Sequence, residues 1–294
     1  MNLEGLGVAM VTPFKEDGTI DFESIPLLVE NITSGRANYI LVMGTTAEVS
    51  TLSDSEKKKV IQRVVESNQN KLPLVIGIGG NDTFKVIKEI QQTDLNPFQA
   101  ILSVSPYYNK PTQEGIYQHY KHIANITPLP LILYNVPSRT GSNIEPKTFI
   151  KLVENFDNII AIKEASGDIE QAQQIIKLSP SGIQVISGDD SLTLPMLLAG
   201  AVGSISVLGN ALPVPIVQIF DYVAKGNLKK AYNLHYEMMD IIHLIFEEGN
   251  PSGIKALLEL MSICKKTVRL PLVSASSDLF SRIEDVLEKS IYSI

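Results

Sequence analysis

Eight brief apolar runs, rich in Val, Ile and Leu, recur along the first two thirds of the chain, and they constrain its fold more than any other feature. They occupy residues 7–11, 39–43, 74–77, 100–104, 131–134, 159–163, 184–187 and 204–207. Short runs of this kind are what strands buried on both faces of a parallel sheet require. Segments with helical spacing lie between them. One opens at Ser53-Asp54-Ser55-Glu56, where a serine three residues before a glutamate makes a capping box, and Ile61, Val64 and Val65 supply its apolar stripe. Others begin at Gln113-Glu114 after Pro111 and at Pro146 after Glu145.

Strands alternating with helices predict a parallel α/β sheet, and eight is the number that closes a (β/α)8 TIM barrel. A doubly wound open sheet is the competing architecture. A dinucleotide-binding sheet of that kind would carry Gly-x-Gly-x-x-Gly at its first helix, and this chain has none there. The nearest approach, Gly77-Ile78-Gly79-Gly80, reads as a tight strand exit. Beyond about Pro215 the strand signal stops, and 216–224, 228–246, 252–261 and 276–290 read as helices. The expectation is a catalytic barrel over residues 1–225 with a C-terminal helical extension over 226–294. No Gly/Ser-rich linker or low-complexity tract separates them, so the extension should be docked rather than tethered.

Composition narrows the function. Of 294 residues, 44% are hydrophobic and 19% charged, an ordinary globular balance. The net charge of −7 and the absence of a basic patch argue against nucleic acid as a partner. An anionic substrate is still compatible, because a few buried cations can dominate a pocket. Cys264 is the only cysteine, which excludes an intramolecular disulfide and a Cys-based zinc site. No apolar run approaches the roughly 18 residues of a membrane span, and the first residues do not read as a signal peptide, so the expected setting is cytoplasmic.

In a barrel of this type the active site lies at the C-terminal ends of the strands. Several chemically able residues fall there: Gly44-Thr45-Thr46-Ala47-Glu48, Pro106-Tyr107-Tyr108-Asn109, Tyr134 through Thr140 with Arg139 among them, Lys163, and Ser187-Gly188-Asp189-Asp190. Lys163 is the most informative. An ammonium at the end of an apolar strand is costly to bury. Strand alternation sends Lys163, Ala161 and Ile159 to one side and Glu164 to the other. Desolvation would lower the amine's pKa, and a neutral amine in such a pocket is a Schiff-base nucleophile. Taken alone, a strand-end lysine more often snorkels to water or pairs with a carboxylate. Tyr134, Tyr108, Thr45 and Thr46 change that balance, because imine chemistry needs proton carriers and no histidine stands at a predicted strand end. Adjacent backbone N–H groups could hold one carboxylate, and the planar fork of Arg139 suits a second. His119 and His122 have helical spacing, but two ligands on a surface helix make a weak metal site.

These motifs resemble the dihydrodipicolinate synthase/N-acetylneuraminate lyase family of class I aldolases. The likeness runs from Gly7-Val8-Ala9-Met10-Val11-Thr12-Pro13-Phe14 to Arg269-Leu270-Pro271-Leu272, nearly the whole chain. The resemblance implies that Lys163 forms a Schiff base with pyruvate. Tyr134, Thr45 and Tyr108 would relay protons, Tyr108 from a neighbouring subunit, while Thr46 and nearby amides hold pyruvate's carboxylate. The resemblance further implies that Arg139 binds the carboxylate of L-aspartate 4-semialdehyde, and that Gly188 and Ile205 line the pocket through their backbones. Arg139 favours the synthase branch over the alternative, a lyase acting on N-acetylneuraminate or a 2-keto-3-deoxy sugar acid. A barrel that only binds an oxoacid is the reading from another class; Lys163, Tyr134, Tyr108 and Thr45 together argue against it. The family implies no redox cofactor, no catalytic metal and a homotetramer built as a dimer of dimers.

There are departures from the family pattern. Ala47 stands where many members have glycine, so a positive φ is not expected there. Asn250-Pro251-Ser252-Gly253-Ile254-Lys255 departs from the common Asn-Pro-Ile-Pro, and neither departure is expected to touch a catalytic role. Lysine-inhibited members place a glutamate at the position of Lys85 and histidines at those of Asp54 and Lys57, while Asn81 and Tyr107 are kept here. A cation at Lys85 would repel L-lysine, so the resemblance implies weak or absent feedback inhibition.

Overall fold

The computed structural model describes residues 1–289. Eight parallel strands follow one another in chain order and close a barrel: β1 (Gly5–Ala9), β2 (Tyr39–Val42), β3 (Leu74–Gly77), β4 (Ala100–Val104), β5 (Leu131–Asn135), β6 (Ile159–Glu164), β7 (Gln184–Ser187) and β8 (Gly203–Ser206). Helices α1 (Ser24–Ser34), α2 (Asp54–Asn68), α3 (Thr83–Gln92) and α4 (Gln113–Ala124) alternate with the first five strands. Then come α5 (Pro137–Thr140), α6 (Pro146–Asn155), α7 (Ile169–Leu178), α8 (Thr193–Ala199) and α9 (Pro213–Ala224). Three more close the described chain: α10 (Leu228–Glu247), α11 (Ser252–Leu260) and α12 (Ser277–Lys289). The expected helix at 276–290 and extension to 294 thus end, for residues 290–294, outside the described residues.

The chain forms two compact units. One comprises Met1–Glu4 and Leu74–Ile205; the other comprises Gly5–Pro73 and the chain from Ser206 onward. In the first, β3 to β8 pair with their neighbours in sequence. The β5–β6 register slips: Leu131 pairs with Ile159 but Ile132 with Ala161, passing over Ile160. The expected alternation along β6 therefore applies only from Ala161 onward. Glycine 79 is set by close approach, since a Cβ there would stand 2.7 Å from the backbone nitrogen of Val104. The 77–80 segment is accordingly a strand exit, and Asp82 then caps α3 by accepting from the amides of Phe84 and Lys85.

In the second unit β1 pairs with β2. The strand expected at 7–11 lies at Gly5–Ala9, because the Val11 amide leaves the ladder and donates to Asn210 Oδ1 (3.0 Å). Asn210 Nδ2 donates in turn to the carbonyls of Ala9 (2.8 Å) and Val207 (2.9 Å). The capping box at α2 forms as expected: Ser53 Oγ accepts from the Glu56 amide, and Glu56 accepts from the Ser53 amide. Pro213 opens α9 at a position where an N–H would be unsatisfied anyway. The long helix α10 packs against α9, α11 and α12 through Leu234, Met238, Ile241, Ile242 and Ile245. Among the described residues no helix is long and apolar enough to cross a membrane.

Candidate active site

The first unit gathers Lys163, Tyr134, Gly188 and Asp190 at the C-terminal ends of neighbouring strands. Lys163 pairs in register with Tyr134 on β5 and with Ile186 on β7. Its side chain is buried, with the ammonium nitrogen 4.5 Å from the centre of the Tyr134 ring. Burial lowers its pKa to about 8, the carboxylate of Asp190 opposes that shift, and the guanidinium of Arg139 adds to it. Glycine 188 leaves room for this side chain: a Cβ there would stand 2.8 Å from Lys163 Cε and 2.7 Å from Ala165 Cβ. Ile205, at the end of the first unit on β8, is buried.

Behind the lysine lies a polar cluster that the sequence reading did not assemble. Glu164 is 2% exposed, yet its carboxylate accepts from Asn135 Nδ2 (3.0 Å), Gln171 Nε2 (3.2 Å) and the Ser166 amide (2.7 Å). Asn143 knits the donors together, accepting from Asn135 and donating to Gln171 Oε1. Burial pushes the Glu164 carboxyl above its ordinary value, and these hydrogen bonds pull against the shift. Two signals for this cluster were in the sequence. Alternation put Glu164 on the face away from Lys163, and a carboxylate buried there must find donors.

Arg139 sits on the short helix α5 and is exposed. The Ser142 hydroxyl, just beyond α5, donates to the Pro106 carbonyl (2.6 Å) and ties this loop to the one carrying Tyr107 and Tyr108. Tyr108 is 84% exposed with φ 71°, a left-handed backbone on a bulky residue, so its ring does not pack within its own chain.

The second unit carries the Gly44–Glu48 turn. Thr45 is exposed and Thr46 buried, and residues Thr45–Ala47 form a single 3₁₀ turn. The positive φ angles fall on Met43 (59°) and Glu48 (53°), not on Ala47, which explains why alanine is tolerated there. Asn250 Nδ2 donates to Thr46 Oγ1 (3.0 Å). Asn250 is a position the segment shares with the family pattern; the departure itself falls on Ser252 and Gly253. Glu48 is buried with Lys255, their charged atoms 2.5 Å apart, and it also accepts from the Arg269 amide (2.9 Å). Lys255 and Arg269 were missed because their partners lie about two hundred positions away in sequence.

The two-histidine metal reading gains nothing from the geometry. His119 is buried with Nδ1 on the Thr83 hydroxyl (2.9 Å), and burial lowers its pKa to about 4. His122 is exposed, with Nδ1 donating to the Gln118 carbonyl (2.7 Å). Among the described residues no group of three or more His, Cys, Asp or Glu is placed to hold a metal ion.

A parallel eight-stranded barrel with a buried, pKa-depressed lysine beside a tyrosine at its strand ends is the arrangement of a Schiff-base aldolase. The chain belongs to the dihydrodipicolinate synthetase family, whose sequence profile matches residues 2–290. It is 50% identical over 280 residues to the 4-hydroxy-tetrahydrodipicolinate synthase of Flavobacterium psychrophilum, covering 95% of this chain and 96% of that one. The crystal structure of dihydrodipicolinate synthase from Thermotoga maritima superposes with a TM-score of 0.95 at 39% identity, covering 98% of each chain. The enzyme from Cyanidioschyzon merolae, crystallised with lysine bound, superposes at 0.93 with 34% identity over 97% of each chain.

Proposed function

We infer that the chain is a lyase of the lysine and diaminopimelate route, condensing pyruvate with L-aspartate 4-semialdehyde to 4-hydroxy-tetrahydrodipicolinate. The observation that carries the mechanism is the buried Lys163 amine, held near pKa 8 beside the Tyr134 ring. A useful fraction of that amine is neutral near pH 7 to 8, so it can attack pyruvate's carbonyl carbon.

The carbinolamine loses water to give a protonated imine. The imine withdraws electrons from pyruvate's methyl carbon, which gives up a proton to form an enamine. The enamine carbon bonds to the aldehyde carbon of the semialdehyde, whose oxygen takes up a proton. The semialdehyde's own amino group then attacks the imine carbon, closes the ring and releases Lys163 as the free amine. Tyr134, Thr45 and Tyr108 carry the protons in these steps, with Tyr108 supplied by a neighbouring subunit. The exposed, left-handed Tyr108 supports that role, because a bulky ring in a costly backbone conformation needs a partner surface. Thr46 and adjacent amides hold pyruvate's carboxylate, and Arg139 holds that of the semialdehyde. Gly188 and Ile205 line the pocket with backbone. In this reading residues 1–225 form the catalytic barrel, 226–294 serve it as an extension, and the assembly is a homotetramer.

The test is reduction with borohydride in the presence of pyruvate, followed by peptide mapping. A pyruvyl adduct on Lys163, abolished by Lys163→Ala, is expected. Turnover with aspartate semialdehyde but not cleavage of N-acetylneuraminate assigns the branch. A folded protein that takes up no pyruvate under reduction would sink the mechanism.

A further inference from the structure

We propose that Lys255, Glu48 and Asn250 form a positioning device that sets the Thr46 hydroxyl as a hydrogen-bond donor toward pyruvate's carboxylate. The proposal rests on the assignment of Thr46 to that carboxylate, made above.

The Gly44–Glu48 turn is bracketed by two left-handed residues, Met43 and Glu48, neither of them glycine. Such conformations persist only where their surroundings over-determine them. Glu48 supplies that determination. Its amide donates to the Thr45 carbonyl (3.1 Å) and its own carbonyl accepts from the Thr51 amide (3.0 Å), so its backbone closes the turn on both sides. Its carboxylate is clamped by Lys255 and by the Arg269 amide. Lys255 is 0% exposed and spends another proton on the Thr267 carbonyl (2.9 Å), while its ammonium lies 4.2 Å from the centre of the Phe14 ring.

A buried ion pair of this kind is weak evidence for stability, because desolvation offsets much of its attraction. It does fix geometry, and the geometry it fixes is that of the turn carrying Thr46. Asn250, two residues before α11, completes the device. A threonine hydroxyl has one proton and two acceptor lone pairs. With Asn250 Nδ2 donating to Thr46 Oγ1, the hydroxyl proton must point elsewhere. The same bond that holds Thr46 in place therefore makes it a donor, which an anionic substrate requires.

Two variants test this, with wild type and Lys163 trapping as references. Lys255→Met removes one charge of the clamp. Asn250→Asp keeps the side-chain shape but turns the donor facing Thr46 into an acceptor, with the ion pair intact. Both are expected to raise KM for pyruvate at least tenfold, leave KM for aspartate semialdehyde within about twofold, and still trap pyruvate on Lys163 when pyruvate is saturating. Adding Glu48→Gln to Lys255→Met removes the uncompensated carboxylate. That double variant should recover thermal stability without recovering KM. Unchanged pyruvate KM in a folded Asn250→Asp protein overturns the proposal, as does a double variant that recovers both. Absence of any adduct in the wild type would overturn the functional reading itself, a result separate from either.

Discussion

The ammonium nitrogen of Lys163 lies 4.5 Å from the centre of the Tyr134 ring, and the two residues occupy paired positions on β6 and β5. Register therefore fixes a buried amine and a tyrosine ring against each other before any loop contributes. Strands hold such geometry more closely than loops do.

The first expectation concerns pH. The pKa of Lys163 is lowered to about 8 from 10.5. In the proposed mechanism the neutral amine is the nucleophile, so the rate of pyruvate adduct formation should rise with pH through about 8. Asp190 favours the ammonium, so Asp190→Asn should move that limb to lower pH; Arg139→Gln should move it higher. Pre-steady-state adduct formation across pH 6 to 10 checks the directions. A limb that stays put in both variants would remove these charges from the account. Stability follows the same shift. Between about 8 and 10.5 the unfolded chain holds a proton that the folded one has lost, so stability should rise with pH in that window.

Gly188→Ala tests close approach. The added Cβ meets Lys163 Cε and Ala165 Cβ at distances that real side chains do not tolerate. The lysine stem must swing aside, and misplacement by about 1 Å costs roughly 100-fold in rate. The expected result is a fall in kcat of roughly 10- to 100-fold in a protein whose circular dichroism is unchanged. Wild-type kcat would mean that the lysine has room to spare.

Glu164 gives an opposite pH signature. Burial raises its pKa above 4.5, so the folded protein keeps a proton that the unfolded chain has released. Stability from this group is full below 4.5 and is lost as pH rises through the raised folded value. Glu164→Gln removes the titration. Its melting midpoint should depend less on pH across that acid window than the wild-type midpoint does. Parallel curves for the two proteins would contradict the assignment.

Regulation supplies the fourth test. Lys85 is exposed on α3, 3.8 Å from Asp82, and Asn81 Nδ2 donates to the Tyr107 carbonyl (3.3 Å). An ammonium at Lys85 opposes a cationic amino acid. Sub-millimolar L-lysine should leave the steady-state rate unchanged, and Lys85→Glu should introduce sensitivity. Inhibition of the unmodified enzyme in that range would show that the repulsion is bypassed.

The barrel was legible because each strand is a local signal: a few β-branched and aliphatic residues bounded by turns. Strand ends then pointed to Lys163 and Tyr134 without any knowledge of contacts. The errors were of another kind. Asn210 takes the Val11 amide out of the ladder from 199 positions away, which no local pattern at residues 7–11 records. The slip that passes over Ile160 is likewise invisible to a reading based on simple alternation. Lys255 lies in a segment whose sequence shows only helical spacing, yet it is buried against Glu48. Long-range polar pairing leaves no periodic trace.

The Glu48–Lys255 bond spans 207 positions of sequence, and Glu48 reaches a further 14 residues on to the Arg269 amide, across 221. During synthesis the strands bearing Tyr134 and Lys163 emerge well before either clamp. The turn that carries Thr46 cannot be locked until residues past 269 have left the ribosome. Contacts of such separation form late, because loop closure must precede them. On the function proposed above, a nascent chain carries Lys163 for some time before the turn of Thr46 can be held in place.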